Sequence, residues 1–541
     1  MLSEIQKILK QDDYLRGQRG NADAYRQDVC SFVLPRKAWI TTPKVNGARL
    51  QDDFLYDSRA NLALKEAATG FHSKLTNPAS RWYESRTRKE KLMQSGSVQR
   101  YFKEVDDIQF EIINSSNFNS TMLEFYTDDL SIGVAMVMTE EDHRRHVRYT
   151  EVPIEQVNWE LDDCGDLSKI YRTFKWSAYK CQSRWKEKIT PEMKKALEEE
   201  KGFTMFEILH YVGKRYVRNA SKKDNVNMEF ESKWLAKKEE IELEDSGFIE
   251  MPYELTRFWV HSDDDTMGYS PAMDVLAAIK TVNAEKRTII RAGQKATDPA
   301  YVSPARFWVN PLNANPNAMN YYDATKFKLE QFGRMPGGEN VRQGVELMQM
   351  EQDLIDRGFF LPLFRALSDV RKEMTVPEVQ QRIIEGLGLI GPVVGRMTNT
   401  IESILIRTYG VLDRRLLFPI PPKEIQGEEM GVIFLSPLAK AQRSAEINGL
   451  QAWIQFIGAI AQGGMPNVLD KINGDRVVDI SRDLYGVDPT AVNEDEQVKQ
   501  VRVARQQAQQ QAMKLQMAET ASGSARDMAA AHKDVKEANK T

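Results

Sequence analysis

Residues Ser270 to Thr297, SPAMDVLAAIKTVNAEKRTIIRAGQKAT, carry the pattern from which the fold is read. Ser270 is placed to cap a helix, Pro271 suits its first position because the missing N–H would be unpaired anyway, and Asp274 brings negative charge to the first turn. On a helical wheel Val275, Ile279, Val282, Ile289 and Ile290 gather on one side. Lys280, Arg287, Arg291 and Lys295 form a neighbouring stripe about 80° wide. One face is expected to pack and another to stay basic. Exposed helices often carry Lys and Arg beside acids, and Glu285 and Asp274 are at hand, so the stripe alone does not select nucleic acid as a ligand.

Downstream, Asp298 and Pro299 stop this helix, and Pro304, Pro311, Pro316 and Pro336 punctuate an insert with short strand candidates at Arg306–Val309 and Lys326–Phe332. A second helix is expected from Asn340 to Phe360, with Val341, Val345, Met348, Ile355 and Phe359 on one stripe and Gln352 as its polar break. Two helices therefore bracket the insert. Upstream, Tyr14 to Thr127 reads helical, broken by a loop holding Pro35, Pro43 and Gly47 and by a turn at Asn77 and Pro78. Between Ile132 and Val260 short alternating runs such as HVRYTEV and KIYRTFKW predict strands in a mixed region.

After Ser368 the charged stretch SDVRKEMT reads as a loop, followed from Pro377 by a long helical pattern in which Pro392 and four glycines should produce a bend. Helices resume from Pro437 to Gln462 and from Glu494 to Glu519, and the final residues 520–541, poor in bulky apolar side chains, predict a disordered tail. The fold class expected is α+β, mainly helical.

The 541 residues are too many for one ordinary core and predict several domains or layers. Hydrophobic residues at 41% and charged residues at 28% match a chain that folds in water. The longest apolar stretch, Trp453 to Ala461, is far short of the roughly 18 residues that would suggest a membrane span. MLSEIQKILKQDD lacks the basic start and apolar run of a secretory signal, which leads us to expect assembly in the cytoplasm. Cys30, Cys164 and Cys181 are widely spaced without a CxxC pair, and are expected to be buried thiols. A net charge of −4 argues against a broad basic DNA-gripping surface, although it is compatible with a passage through which DNA slides.

Enzymatic patterns are weak. No GxxxxGK[ST] loop exists to cradle phosphate, so the chain is not an ATP-driven motor of that type. Gly386, Gly388 and Gly391 match GxGxxG, but a helix opened by Pro377 precedes them and Pro392 follows, which favours a helix bend or close packing over a dinucleotide turn. His143 and His146 have HxxH spacing, yet Arg144 and Arg145 lie between them in a charged run that reads as a solvated loop. Asp162 and Asp163, and Asp263 to Asp265, could hold magnesium only with partners that no spacing supplies. No catalytic residue, cofactor or metal is therefore expected.

Three stretches resemble the head-to-tail connector, or portal, proteins of T7-like podoviruses. They are DSRANLALKEAATGFHSKLTNPASRWYESR (57–86), MGYSPAMDVLAAIKTVNAEKRTIIRAGQKATDPAYV (267–302) and MTVPEVQQRIIEGLGLIGPVVGRM (374–397). The similarity runs from about Tyr14 to Gln511 and rests on order and length; Ala300 stands where relatives often have a second proline. The resemblance implies an elongated subunit of wing, stem, clip and crown. Residues 1–269 and 377–437 would form the wing (the latter a long bent helix and a strand), 270–297 and 340–367 the two stem helices, 298–339 the clip, 368–376 a channel loop, and 438–519 crown and barrel helices.

It further implies a closed ring, usually of twelve subunits, around double-stranded DNA at one capsid vertex of the virion, for packaging and ejection. Lys280, Arg287, Arg291, Lys295, Arg371 and Lys372 become candidates to face DNA, and Arg306, Trp308, Lys326 and Lys328 candidates for docking through the clip. Implied partners are the terminase large subunit, the tail adaptor and tail proteins, and the scaffold, capsid and internal core proteins; no membrane is involved. The competing readings are another head-tail ring such as an adaptor, favoured less because adaptors are usually smaller, and a DNA-processing enzyme.

Overall fold

The computed structural model describes residues 3–43, 47–50, 52–89, 91–219, 221–222, 224–262, 265–297, 301–302, 325, 333–334, 341–368, 376–428, 430–434, 437–462, 472, 474–485 and 497–513. The chain divides into two compact units: Met1–Arg88 with Glu104–Ile420 and Glu429–Gln442, and Lys89–Lys103 with Pro421–Glu428 and Arg443–Thr541.

Helices α1 (Glu4–Gln18), α2 (Gly20–Val33) and α3 (Arg59–Leu75) lead to strand β1 (Tyr83–Thr87) and helices α4 (Gly96–Ser115) and α5 (Phe118–Ile132). The mixed region follows as β2 (Val134–Asp142), β3 (His146–Glu151), β4 (Val157–Leu161), β5 (Leu167–Ser177), α6 (Ala178–Trp185), α7 (Pro191–Glu198), β6 (Met205–Lys214), β7 (Phe230–Ala236), β8 (Ile241–Phe248) and β9 (Tyr253–Arg257). Then come α8 (Pro271–Asp274), α9 (Leu276–Thr297), β10 (Tyr301–Val302), β11 (Gly333–Arg334), α10 (Val341–Gly358), α11 (Leu361–Ser368), α12 (Val376–Arg414), β12 (Met430–Phe434), α13 (Pro437–Gln462) and α14 (Gly474–Tyr485).

In the larger unit β4 to β8 form an antiparallel meander of five strands, and β2 pairs with β3 on one side and β9 on the other. His210 on β6 joins the two sheets. Its imidazole stacks on Trp234 with ring centroids 4.1 Å apart, and its two nitrogens meet the Tyr253 hydroxyl of β9 and the Ser232 hydroxyl of β7, each at 3.0 Å. Burial among Arg172 and Arg184 holds this histidine well below its ordinary pKa, so it is neutral and one nitrogen donates while the other accepts. Arg19, between α1 and α2, fixes the N-terminal helices to this layer by donating to the Ile154 carbonyl at 2.8 Å and the Asn158 side chain at 3.1 Å.

The main hydrophobic core lies where α3 and α5 meet α9, α10 and α12, with Leu64, Phe71, Phe125, Tyr126, Val282, Ile355, Phe359, Ile401 and Leu405 almost fully buried. Each such side chain stabilises the unit by about 1.5–3 kcal/mol relative to exposure. Gly133 closes α5 at φ +80°, and a Cβ there would stand 2.6 Å from the Tyr269 backbone. Glycine is required twice over, for the left-handed turn and for the approach of residues 268–269 that start the α8 cap.

The expected helix-and-strand alternation is present. Helix α12 carries helical backbone through Gly386, Gly388, Gly391 and Pro392 as one element of 39 residues. The terminal helix is described over 497–513. Arg306–Val309, Lys326–Phe332, residues 369–375 of the expected loop and residues 520–541 lie outside the described residues. Cysteine burial holds for Cys30 and Cys181 but not for Cys164, which is exposed. Cys164 sits in the turn between β4 and β5, where the Asp162 carboxylate accepts its N–H and that of Asp166, both at 2.9 Å. In the smaller unit Lys89 pairs with Glu428 at 2.5 Å, and Arg502 with Asp475 on α14 through contacts of 2.5 and 2.8 Å.

Asp129, in the last turn of α5, is fully buried and neither carboxyl oxygen has a hydrogen-bond partner. Burial raises its pKa to about 8. The folded state then holds a proton that the unfolded chain releases near the ordinary carboxyl pKa, so this group's contribution to stability is full below that value and falls as pH rises to about 8. Asp129→Asn is expected to flatten the decline in unfolding midpoint between pH 5 and pH 8, as measured by urea titration at several pH values; an unchanged slope would refute the assignment.

Candidate functional site

Sequence reading pointed to the paired helices around the insert, and the structure builds that pair in detail. Ser270 caps α8 as expected, its hydroxyl accepting the Met273 N–H at 3.1 Å and donating to the Ser131 carbonyl at 2.7 Å. After a single break at Val275 the chain continues as α9. Val275, Ile279 and Val282 are buried, Ile289 is half-buried, and Ile290 turns to solvent with 41% of its surface exposed.

Helix α10 returns antiparallel to α9. Gly358 lies against Val275, whose side chain any Cβ would overlap, and a Cβ at Gly344 would stand 3.3 Å from Ile289. A glycine inside a helix costs about 0.5–1 kcal/mol relative to alanine, offset here by the close contact it permits. Met348, Ile355 and Phe359 complete the seam. At the far end, Tyr301 pairs with Arg334 and Val302 with Gly333, so the two ends of the insert are held side by side.

A polar clamp fixes the pair to the N-terminal helices. Asn283 on α9 donates to the Phe54 carbonyl at 2.9 Å and accepts the Tyr56 N–H at 2.6 Å. Asp57 accepts from Gln352 on α10 at 3.1 Å and from Lys286 on α9 at 3.4 Å. Asp356 on α10 is 5% exposed and receives two arginines: Arg59 of α3, through its Nε at 2.7 Å, and Arg365 of α11 at 2.8 Å. Arg365 also forks onto Glu66 of α3 at 2.8 and 2.7 Å, and this hydrogen bonding holds the Glu66 carboxyl below its usual pKa.

The basic stripe is thereby divided. Lys280 is engaged with Asp28 of α2 at 2.5 Å and lies 5.5 Å from the Phe32 ring, so it is not a free cation. Arg287 rests over Tyr56 at 5.6 Å from the ring centre. Arg291 is exposed with no ion pair among the described residues. The Lys295 side chain, and Arg306, Trp308, Lys326, Lys328, Arg371 and Lys372, lie outside the described residues. Of the clamp, the sequence marked Gln352 as a polar break in its helix but paired none of its members, because partners some 300 positions apart leave no periodic signal.

The enzymatic candidates do not assemble. The GxGxxG glycines sit within helix α12 and not in a strand-to-helix turn. His143 and His146 flank the tip of the β2–β3 hairpin, Asp162 accepts turn amides, and Asp265 accepts the Met267 N–H at 2.8 Å. Asp263 and Asp264 lie outside the described residues. Among the described residues no three His, Cys, Asp or Glu side chains gather as a metal site. No described helix is long and apolar enough to cross a membrane.

Comparison with known proteins gives a consistent result. The model of the family "Bacteriophage head to tail connecting protein" matches residues 5–492. The chain is 24% identical over 534 residues to the portal protein of Salmonella phage epsilon15, covering 97% of this chain and 95% of that one. It is 26% identical over 538 residues to a probable portal protein of Bordetella phage BPP-1, covering 96% and 95%.

Removing Asp356 would leave Arg59 and Arg365 facing each other. Both arginines are partly exposed, so the loss is screened below that of a fully buried pair. Asp356→Ala is expected to destabilise the larger unit by about 1–3 kcal/mol in chemical denaturation, whereas Arg342→Ala on the exposed side of α10 should change it by less than about 0.5 kcal/mol.

Proposed function

Since the chain belongs to the bacteriophage head to tail connecting proteins, we propose that it assembles as a closed ring, of twelve subunits, through which double-stranded DNA enters and leaves the capsid. Membership makes it a portal protein, a structural component of the virion at the head–tail junction and not an enzyme. The observation that supports the finer reading is the antiparallel α9–α10 pair, with the short β10–β11 ladder lying between its two helices in the chain.

In this reading α8–α9 and α10–α11 form the stem and residues 298–339 the clip. Residues 1–269 and 377–437 form the wing, 368–376 a channel loop, and the helices after Pro437 the crown and barrel. A head-to-tail contact repeated around a closed ring presents the same inner surface to the duplex many times over, so modest charge per subunit suffices. Lys280, Arg287, Arg291, Lys295, Arg371 and Lys372 are our candidates for DNA contact, Lys280 being already engaged by Asp28. The clip, with Arg306, Trp308, Lys326 and Lys328, is our candidate to dock the terminase large subunit during filling and the tail adaptor afterwards. Scaffold, capsid and internal core proteins would meet the wing and crown. The three sequence stretches support our assignment of the chain to the T7-like lineage.

Negative-stain electron microscopy of the purified chain, with its mass in solution, tests this directly. Rings with a central hole and a mass near twelve times 62.0 kDa are expected; a chain that stays monomeric at high concentration and with scaffold present would reject the ring. Deleting 305–335 should leave rings that no longer bind terminase, and normal binding would remove the clip assignment.

A further inference from the structure

Helix α10 exposes a row of large apolar side chains that no described residue covers. Leu347, Met350 and Leu354 are 55%, 68% and 48% exposed and, spaced by three and four residues, fall within a strip about 60° wide. Three such residues in line on one helix are an unpartnered packing face.

Helix α9 exposes the converse. Ala277, Thr281, Ala284 and Thr288 are all exposed and have the same three- and four-residue spacing. The Thr281 hydroxyl donates to the Ala277 carbonyl and that of Thr288 to the Ala284 carbonyl, both at 3.0 Å. Their polar hydrogens are thus satisfied within the helix, and the row offers methyl groups around a shallow groove. One helix of the pair has knobs and the other has holes of matching period.

The charges match as well. Arg287 and Arg291 flank the small-residue row of α9, with Lys280 on the same side, while Glu346 and Asp353 flank the apolar row of α10 on the same angular side. When two helices face each other antiparallel, flanks of the same sense come together, so the basic edge of α9 would meet the acidic edge of α10. Glu346 is already paired with Arg342 at 3.2 Å, and Arg357 stands at the end of this flank, whereas Asp353 and Arg287 have no ion pair among the described residues.

We infer that Leu347, Met350 and Leu354 of one copy of this chain pack into the Ala277–Thr281–Ala284–Thr288 groove of the next copy, with Asp353 opposite Arg287. The contact is heterologous, knob face to groove face, so each subunit uses both surfaces and repetition closes a ring or extends a filament instead of stopping at a dimer. This inference rests on the ring reading above and names the surface that would build it. It also gives part of the basic stripe on α9 a protein partner in place of DNA.

The full chain and its variants tested by mass photometry and analytical ultracentrifugation decide the matter. Leu354→Glu changes an already exposed side chain, so the subunit should melt as wild type by circular dichroism, while assembly should need at least tenfold higher concentration. Arg287→Glu and Asp353→Arg should each weaken assembly, and the two together should restore it. Rings formed equally well by wild type and Leu354→Glu would overturn this contact and leave the ring reading standing. Dimers alone would overturn it too, because the heterologous contact leaves a free knob face at one end and a free groove face at the other and so does not stop at two copies. A wild-type chain that never assembles would overturn the ring reading, and this contact with it.

Discussion

The larger unit depends on how closely α9 and α10 approach. Gly358 against Val275 and Gly344 near Ile289 bring the two backbones together at both ends of the seam, and the apolar residues between them interlock only at that spacing. A close-packed interior has little slack, so a single added methylene at Gly358 would have to displace Val275 or separate the helices.

Hydrophobic packing alone would let such a pair slide or tilt. The clamp of Arg59, Asp356, Arg365 and Glu66, with Asn283 and Asp57 beside it, supplies direction where apolar contact does not. Paired and partly buried ions of this kind add little net stability, but they penalise every arrangement in which one charge is left alone. Lys37, held between Asp128 at 2.6 Å and Glu151 at 3.2 Å, plays the same part between α5 and the β2–β3 hairpin. Specific geometry thus comes from polar groups set into a seam that apolar residues have already closed.

Much of this was legible from local chemistry. Ser270, Pro271 and Asp274 announced the start of a helix, and alternation in HVRYTEV and KIYRTFKW announced β3 and β5, because caps and two-residue periods are written in neighbouring positions. The family resemblance likewise came from ordered motifs, and the match over residues 5–492 agrees with it at the level of the connector family. Periodicity misjudged Ile290, which shares a wheel sector with Ile289 yet faces solvent, since a wheel cannot say where a neighbouring helix ends. It placed Lys280 in the basic stripe without finding its partner, because the Asp28 that engages it lies 252 positions away, a distance no local pattern spans. Helices α11 and α14 fall within stretches expected to be helical, but their separate bounds were not read, and the clamp is a purely tertiary product.

The two-rung ladder of Tyr301–Val302 with Gly333–Arg334 has an evolutionary corollary. A segment pinned at a narrow neck can be lengthened at small thermodynamic cost, about 0.6 kcal/mol for each doubling of a flexible loop. Changes of length between the rungs therefore bear lightly on the pairing of 301–302 with 333–334. A lineage could acquire a new docking partner by grafting at residues 302 and 333 while inheriting its scaffold unchanged.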